Sequence, residues 1–500
     1  MYLGLDVGTS GVKATVIDDS GTIHAISSKS YPLLGLEENH RELDPLQVWE
    51  SVKTVIHDVL GKADSSDIDF ITVASLGEAI IPINKSGLPI MRSIIGSDIR
   101  GRKELESVCQ QIPPPELTRI TGLNLSTIYS LNKILYIRRH LPRIYAETEK
   151  FLCFTDFIVY VLTGEYVIDF SMASRTMAFD INKCTWSKYI LDKVSVDPNL
   201  FSRTAIAGEI VGKILPSIAA ETGLPQTVSV LIGPHDHICN ALGAGAVEKG
   251  ACSNVVGTTE GITAILGDEK LSISDISKNN ISCQPFVLSN TYNTVAWHNT
   301  AGALINWFMN QFFCKNRTPD QTKVILDQLN HAYHGKPTRL LIQPYFSGAT
   351  TQFMDDKAKG TILGLSLSTT REEIYQALLE GSCYECMLIV EALENASIPV
   401  KHLIVNGGGS KSDPWLSIKA DMLGNPVYTV DCQDTGALGS AIIAAVANKR
   451  FSSVIEAAQN MVRPGKIIEP NMNNNRVYRE RFEQYKCLYS QIKDINHLLN

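Results

Sequence analysis

The tripeptide Val-Gly-Thr occurs at Val7-Gly8-Thr9 and again at Val256-Gly257-Thr258, half a chain apart in a sequence of 500 residues. Each copy ends one apolar run and opens another. The stretch Val7-Gly8-Thr9-Ser10-Gly11-Val12-Lys13-Ala14-Thr15-Val16 is echoed by Val256-Gly257-Thr258-Thr259-Glu260-Gly261-Ile262-Thr263-Ala264-Ile265. Repetition at half the chain length predicts two homologous domains, each beginning with a strand, a tight hydroxyl-bearing turn and a second strand. Length agrees, because a single hydrophobic core stops growing at roughly 250–300 residues. The apolar fraction of 44% is enough to fill two cores. The boundary is expected between residues 243 and 250, dividing 1–245 from 246–500.

The first half is expected to open as an antiparallel meander of strands at 2–7, 12–18 and from 22, joined by Gly-Thr-Ser-Gly and Asp-Asp-Ser-Gly turns. A helix follows, with Asp44 as N-cap, Pro45 in the first turn, an apolar stripe through Leu46, Val48, Val52, Val55, Ile56 and Val59, and Gly61 as its stop. A strand at 68–74 then returns. The second half predicts helices at 302–313, 371–394, from 414 and over 436–448, with strands at 402–405 and 427–430. Pro113-Pro114-Pro115 reads as a loop, and the asparagine-rich run 471–475 as the one disordered stretch.

With 52 acidic and 45 basic residues, the net charge is −7, and no Lys/Arg stripe tracks a phosphate backbone, so nucleic acid is not an expected partner. No apolar run reaches the roughly 18 residues of a membrane span, and the N-terminus lacks a secretory pattern, so the expected location is the cytoplasm. The 11 cysteines include one CxxC, Cys383 and Cys386, and read as reduced, mostly buried thiols.

Three glycine-rich turns carry candidate chemistry. Asp6-Val7-Gly8-Thr9-Ser10-Gly11-Val12-Lys13 combines a carboxylate at a strand end, backbone that can approach a phosphate, two hydroxyls and a lysine. Gly257-Thr258-Thr259 offers similar donors from the other half. Asn406-Gly407-Gly408-Gly409-Ser410 is a strand-to-helix turn of the kind that binds nucleotides, although no GxxxxGK[ST] loop exists in the chain. The segment 231–240, LIGPHDHICN, places His235, Asp236 and His237 after an apolar strand at 228–232 and a Gly233-Pro234 turn. Local chemistry leaves three readings open: a His-x-His metal pair without further ligands at matching spacing, a solvated turn, and a proton-accepting carboxylate at a strand's C-terminal edge.

The order Asp6-x-Gly-Thr-Ser-x-x-Lys, Asn132-Lys133, Thr155-Asp156-Phe-Ile-x-Tyr-x-Leu-Thr-Gly164, His-Asp236-His, Gly257-Thr-Thr, Gly360-x-x-x-Gly364-Leu and Asn406-Gly-Gly-Gly409-Ser-Lys-Ser resembles the FGGY carbohydrate kinases over nearly the whole chain. The resemblance implies an α/β fold of two ribonuclease-H-like domains, of the actin and hexokinase type, with MgATP in a central cleft. It implies that Asp236 is the catalytic base and, with Asp6, belongs to the carboxylates around magnesium. Gly8, Thr9, Ser10 and Lys13, with Gly257, Thr258 and Thr259, match the phosphate loops; Gly302 lies near the nucleotide, and Gly408 and Gly409 lie under the adenosine. Gly77, Glu78, Asp98, Arg100, Asp236 and His237 fall at the sugar site, while His235 reads as structural.

The sugar site departs from the familiar members. Gly77 stands where glycerol kinase has arginine, and Gly96 where xylulokinases have tryptophan. The expected activity is ATP-dependent phosphorylation of a hydroxyl of a small sugar or polyol, with a pentulose such as xylulose favoured and a tetritol, hexulose or aldonate as alternatives. From another class come an actin-like ATPase switch and a non-catalytic sugar sensor. Many family members are dimers, so a homodimer is among the expectations.

Overall fold

Alternation along the first strand decides the layering. In the computed structural model, which describes residues 1–36, 40–63, 67–351 and 353–499, strand β1 (Tyr2–Val7) sends Leu3, Leu5 and Val7 into one apolar core and Tyr2 into another. Gly4 and Asp6 share the face of Tyr2, because successive side chains on a strand alternate sides. Strand β2 (Gly11–Ile17) pairs antiparallel with β1, setting Lys13 opposite Asp6 and Thr15 opposite Gly4. Strand β3 (Ile23–Ser30) completes the expected meander.

Helix α1 (Pro45–Leu60) begins as anticipated, with the Asp44 carboxylate accepting from the amides of Leu46 and Gln47. Strand β4 (Phe70–Ser75) runs parallel to β1. Further on lie α2 (Phe154–Thr163), α3 (Phe170–Ser174), β5 (Ile210–Lys213), β6 (Ser229–His235) and α4 (Asp236–Gly243). The six strands form one sheet in the order β5-β6-β4-β1-β2-β3.

The second half contributes β7 (Ala251–Val256), β8 (Glu260–Gly267), β9 (Gln284–Pro285), β10 (Tyr292–His298), α5 (Gly302–Phe312), α6 (Arg371–Asn395), β11 (His402–Asn406), α7 (Asp413–Leu423), β12 (Val427–Val430), α8 (Thr435–Ala447), β13 (Pro464–Ile468) and α9 (Met472–Leu498). Their sheet, in the order β9-β10-β8-β7-β11-β12-β13, read from the far edge as β13-β12-β11-β7-β8-β10, repeats the first sheet pair for pair. In both, the outer pair is antiparallel, the two central pairs are parallel, and the hairpin and its neighbour are antiparallel. The fold is two α/β units of one topology.

Three local expectations change. The run through Gly233 and Pro234 is no turn: β6 continues to His235 with a register irregularity after Ile232, and α4 starts at the next residue. Proline lacks only an amide that an irregular register does not use. Pro114 and Pro115 occupy the first turn of a helix, Pro114–Thr121, where the missing amides would have no intrahelical partner. The asparagine run is ordered at the start of α9: Asn474 donates to the Asp421 carboxylate and Asn475 to the Asp421 carbonyl, both from buried positions. A compositional signal for disorder is overridden by partners distant in sequence. All cysteines are unpaired, and Cys383 and Cys386 are buried on α6. Among the described residues no helix is long and apolar enough to cross a membrane.

Helix α8 leaves its own half to cover the Tyr2 face of the first sheet, where Ala437, Leu438, Ala441 and Ile442 share a core with Tyr2, Phe70 and Leu231. It crosses α4 at very short range. A Cβ on Gly439 would lie 1.9 Å from the Cys239 carbonyl oxygen, and one on Gly243 would lie 1.8 Å from that of Thr435. Each helix therefore needs glycine at the crossing. Gly439→Ala should force the helices apart and destabilise the protein by at least about 1–3 kcal/mol, read as a lower melting temperature in calorimetry; an unchanged melting temperature would show that the crossing tolerates a methyl group.

Candidate active site

The site is assembled where β6 meets α4. Strand β6 is buried along nearly its full length and delivers His235 as N-cap of α4, so Asp236 is the first residue of the helix, where the positive end of the dipole favours a carboxylate. Asp236 Oδ1 lies 2.9 Å from His235 Nδ1 and accepts from the His237 amide at 2.6 Å. The two imidazoles stack with centroids 5.0 Å apart. The His235 amide in turn donates to Ser171 Oγ on α3, which fixes the cap. Burial by itself would raise the Asp236 carboxyl. The charges of His235 and His237 and the two hydrogen bonds outweigh it and hold the group well below the usual carboxylate range. Asp236 is therefore ionised at neutral pH.

On one side of Asp236 lies a buried ion pair. Arg175, at the C-cap of α3, donates from Nε to Glu78 Oε1 at 2.5 Å, and its guanidinium packs 5.2 Å from the Tyr129 ring centroid. Burial opposes ionisation of Glu78, but Arg175 and His235 prevail and its pKa is lowered. The Glu78 backbone has φ 59°, a left-handed conformation that costs a non-glycine residue on the order of 1 kcal/mol or more. Gly77 beside it has no room for a side chain, since a Cβ there would lie 2.4 Å from His235 Nε2. Arginine at 77 is therefore incompatible with His235 in this place. A Cβ on Gly96 would lie 3.3 Å from the second Glu78 oxygen, Oε2.

Lys133, buried, donates to the Ile128 carbonyl; burial is the main reason its pKa falls to about 8, and Glu78 and Asp98 oppose that fall. Asp98 accepts three hydrogen bonds of 2.8 to 3.0 Å from the Arg100 guanidinium and one of 2.8 Å from the Arg41 amide, and Arg100 also reaches Glu42 at 2.8 Å. They form a braced wall.

On the other side is a second cluster of carboxylates. Asp434, the N-cap of α8, lies 2.9 Å from Thr15 Oγ1 and 3.5 Å from Lys13 Nζ, on the sheet face that Asp6 shares. The Asp6 carboxyl is pushed up to about 7, first by burial and then by Asp236 and Asp434, with Lys13 and His235 pulling the other way. Asp6 thus shares its surroundings with two further carboxylates, Asp236 and Asp434, and with one lysine, an arrangement suited to a divalent cation. His235, Asp236 and His237 also offer ligand atoms within 4.8 Å of one another.

The two hairpin turns have equivalent places in the two sheets. Thr9 and Ser10 stand exposed at the first tip and Thr258 and Thr259 at the second. Tyr31 Oη donates to the carbonyls of Gly8 and Gly11 at 2.6 and 3.1 Å. At the second turn the carbonyls are taken by the start of α5: Gly302 N reaches Gly257 O at 2.8 Å, and Ala301 N and Ala303 N reach Thr258 O at 3.0 Å. Gly302 is glycine because a Cβ would meet Gly257 O at 2.6 Å. Gly409 is pressed against Val256, just before the second turn, where a Cβ would sit 2.3 Å from Val256 Cγ1, and Gly408 follows Gly407 at φ 80°. The structure thus gathers Asp6, Lys13, Gly77, Glu78, Asp236 and His237 around one charged cluster, and Gly257, Thr258, Thr259, Gly302, Gly408 and Gly409 around the second turn.

Sequence reasoning gave no role to Arg175 or Asp434. Asp434 could have been suspected as the cap of a strongly apolar helix; nothing local marks Arg175.

The chain belongs to the FGGY family of carbohydrate kinases, phosphotransferases whose acceptor is a carbohydrate hydroxyl. The model of the family's N-terminal domain matches residues 1–243, and that of its C-terminal domain matches 252–448. It is 26% identical to the xylulose kinase of Bacillus subtilis (strain 168) over 499 residues, 99% of this chain and 98% of that one. It is 24% identical to the gluconokinase of the same organism over 468 residues, 92% and 90% of the two chains. The crystal structure of ligand-bound xylulose kinase from Lactobacillus acidophilus superposes with a TM-score of 0.89 at 22% identity, covering 100% of this chain and 99% of that one. The fold is thus the two-domain architecture of the actin and hexokinase type.

A carboxyl raised by folding opposes folding wherever the unfolded chain ionises and the fold does not. For Asp6, stability of the ligand-free protein falls as pH rises from the ordinary value of 3.8 to about 7 and then levels. Ligand-free Asp6→Asn should therefore melt above the wild type, by more at pH 8 than at pH 5, in scanning calorimetry. A difference that shrinks as pH rises would remove Asp6 from the buried like-charge cluster.

Proposed function

We propose that the protein transfers the γ-phosphoryl group of ATP to a hydroxyl of a pentulose such as xylulose in the cytoplasm. Residues 1–245 hold the sugar and the base, and residues 246–500 hold the nucleotide. Asp236 carries this reading. It is an ionised carboxylate oriented by His235 and by the His237 amide, within electrostatic reach of both Arg175 and Asp6. A carboxylate so held accepts the proton of an attacking hydroxyl while the phosphoryl group departs, and needs orientation more than basicity, because phosphoryl transfer depends mainly on positioning and charge stabilisation.

The surplus negative charge of Asp6, Asp236 and Asp434 fits Mg²⁺, held at Asp6 and Asp236; when bound, the ion neutralises charge on the phosphate oxygens. Lys13 and the hydroxyls of Thr9, Ser10, Thr258 and Thr259 face the polyphosphate, and Gly302, Gly408 and Gly409 let backbone approach the nucleotide. Gly77, Glu78, Asp98, Arg100 and His237 shape the sugar pocket. Glu78 already neutralises Arg175, which favours an uncharged ketose. Lys133 favours a second reading, an aldonate such as the substrate that the name of the gluconokinase relative implies.

Two measurements test the proposal. Asp236→Asn should keep nucleotide affinity and lose turnover by about two orders of magnitude or more; wild-type turnover would remove Asp236 as the base. ATP consumption across xylulose, other pentuloses, tetritols, hexuloses and gluconate should be stimulated most by a pentulose. Gluconate in first place would establish the aldonate reading, and stimulation by no sugar would point to a conformational ATPase or a sensor.

A further inference from the structure

The residue after the second turn is a glutamate with no exposure at all. Glu260 closes the hairpin by pairing with Val256, and every atom of its carboxylate is engaged. Oε1 takes the Lys419 ammonium and the Asn254 amide, the latter at 3.0 Å; Oε2 takes Ser382 Oγ at 2.9 Å and lies 3.1 Å from His298 Nε2. Burial would raise this carboxyl, but Lys419 and His298 hold it well below the usual range. Lys419 is itself 1% exposed, its pKa raised by Glu260 and the thiols of Cys386 and Cys383 against its burial. The lone CxxC of the chain lines this charge network.

A wholly buried ion pair does not stabilise a fold more than apolar residues of the same volume would, since the cost of removing both charges from water offsets their attraction. Among the described residues the network also keeps two buried atoms without a partner, Asn254 Oδ1 and His298 Nδ1, a further cost. What it does provide is position. Asn254 is on β7, which leads into the 257–259 turn; His298 ends β10, four residues before Gly302; Lys419 is on α7, which follows the glycine loop; Ser382 is on α6 beneath them. The glycine loop and the turn already touch through Gly407, Gly409 and Val256. Among the described residues Glu260 is the one side chain hydrogen-bonded to elements carrying all three segments. The first hairpin has no counterpart, because the residue that pairs with Val7 there is Val12, an apolar side chain buried in the core with no charge to clamp.

We infer that Glu260 is a positioning residue for the nucleotide: its charge, clamped by Lys419 and His298, sets the 257–259 turn against the 299–302 segment and the 407–411 loop. The inference rests on the proposed assignment of those segments to ATP. Removing Glu260 alone leaves Lys419 unpaired and threatens the fold, so the informative variant is the neutral double Glu260→Gln/Lys419→Met in the full-length protein. It should fold, by circular dichroism and calorimetry, with the KM for ATP and the Kd of a fluorescent ADP analogue raised about tenfold and the sugar KM unchanged. A folded double variant with wild-type nucleotide constants overturns the inference. Should the double variant not fold, Ser382→Ala, which removes one donor and leaves the charges paired, serves instead. There an increase of about threefold in the ADP-analogue Kd supports the positioning role and an unchanged Kd overturns it. The binding readout needs no sugar, so a wild type that turns over ATP with no sugar defeats the pentulose reading while leaving this one testable.

Discussion

The close crossing of α4 and α8 fixes the distances on which the site depends. Asp236 is the first residue of one helix and Asp434 the N-cap of the other, so the gap between the two carboxylates is set by how near the axes can come. Glycines at 243 and 439 set that limit. Polar links lock the rotation: Thr435 Oγ1 donates to Asn240 Oδ1 at 2.7 Å, and Asn240 Nδ2 donates back to the Asp236 carbonyl at 3.0 Å. Because α8 lies on the first sheet, the same contact also sets Asp434 above Thr15 and Lys13, across the strand pair from Asp6. One packing constraint thus places three carboxylates contributed by segments hundreds of residues apart.

That placement works against stability. Asp6, Asp236 and Asp434 repel one another in a medium that screens poorly, and the fold answers with Lys13, His235 and His237 without fully cancelling the charge. The like charges therefore cost folding free energy in the ligand-free protein, with Asp6 bearing the largest share of it. The left-handed backbone of Glu78 and the buried Arg175 beside it add further local cost at the same cluster.

What could be read from sequence was what is encoded locally. The hairpin turns, the Asp44 cap and the apolar stripe of α1 each rest on residues within a few positions of one another, and each element was found within a residue or two of its expected bounds. The asparagine run and the proline triplet failed because their outcome rests on Asp421 in one case and on helix-start geometry in the other. Asp434 and Arg175 were invisible for a related reason. Their meaning comes from the sheet register and from the helix that crosses from the other half, neither of which a window of sequence contains. The half-chain echo was the exception: three identical residues pointed to a strand order that repeats across the whole molecule.

The two halves show that an equivalent turn can be secured by unrelated means. At the first hairpin a tyrosine hydroxyl from the strand's far neighbour holds the carbonyls of Gly8 and Gly11; at the second, backbone amides at the start of α5 hold those of Gly257 and Thr258. Both devices occupy acceptors and leave the hydroxyl-bearing tip exposed, so each turn presents donors at the surface. A phosphate chain, which brings only acceptors, is the ligand such a surface suits. The asymmetry lies beneath the tips: an apolar valine, Val12, pairs with Val7 in one half, and a clamped glutamate, Glu260, pairs with Val256 in the other. A turn that rests on a buried charge has its height set by ionic contacts and not by van der Waals fit alone.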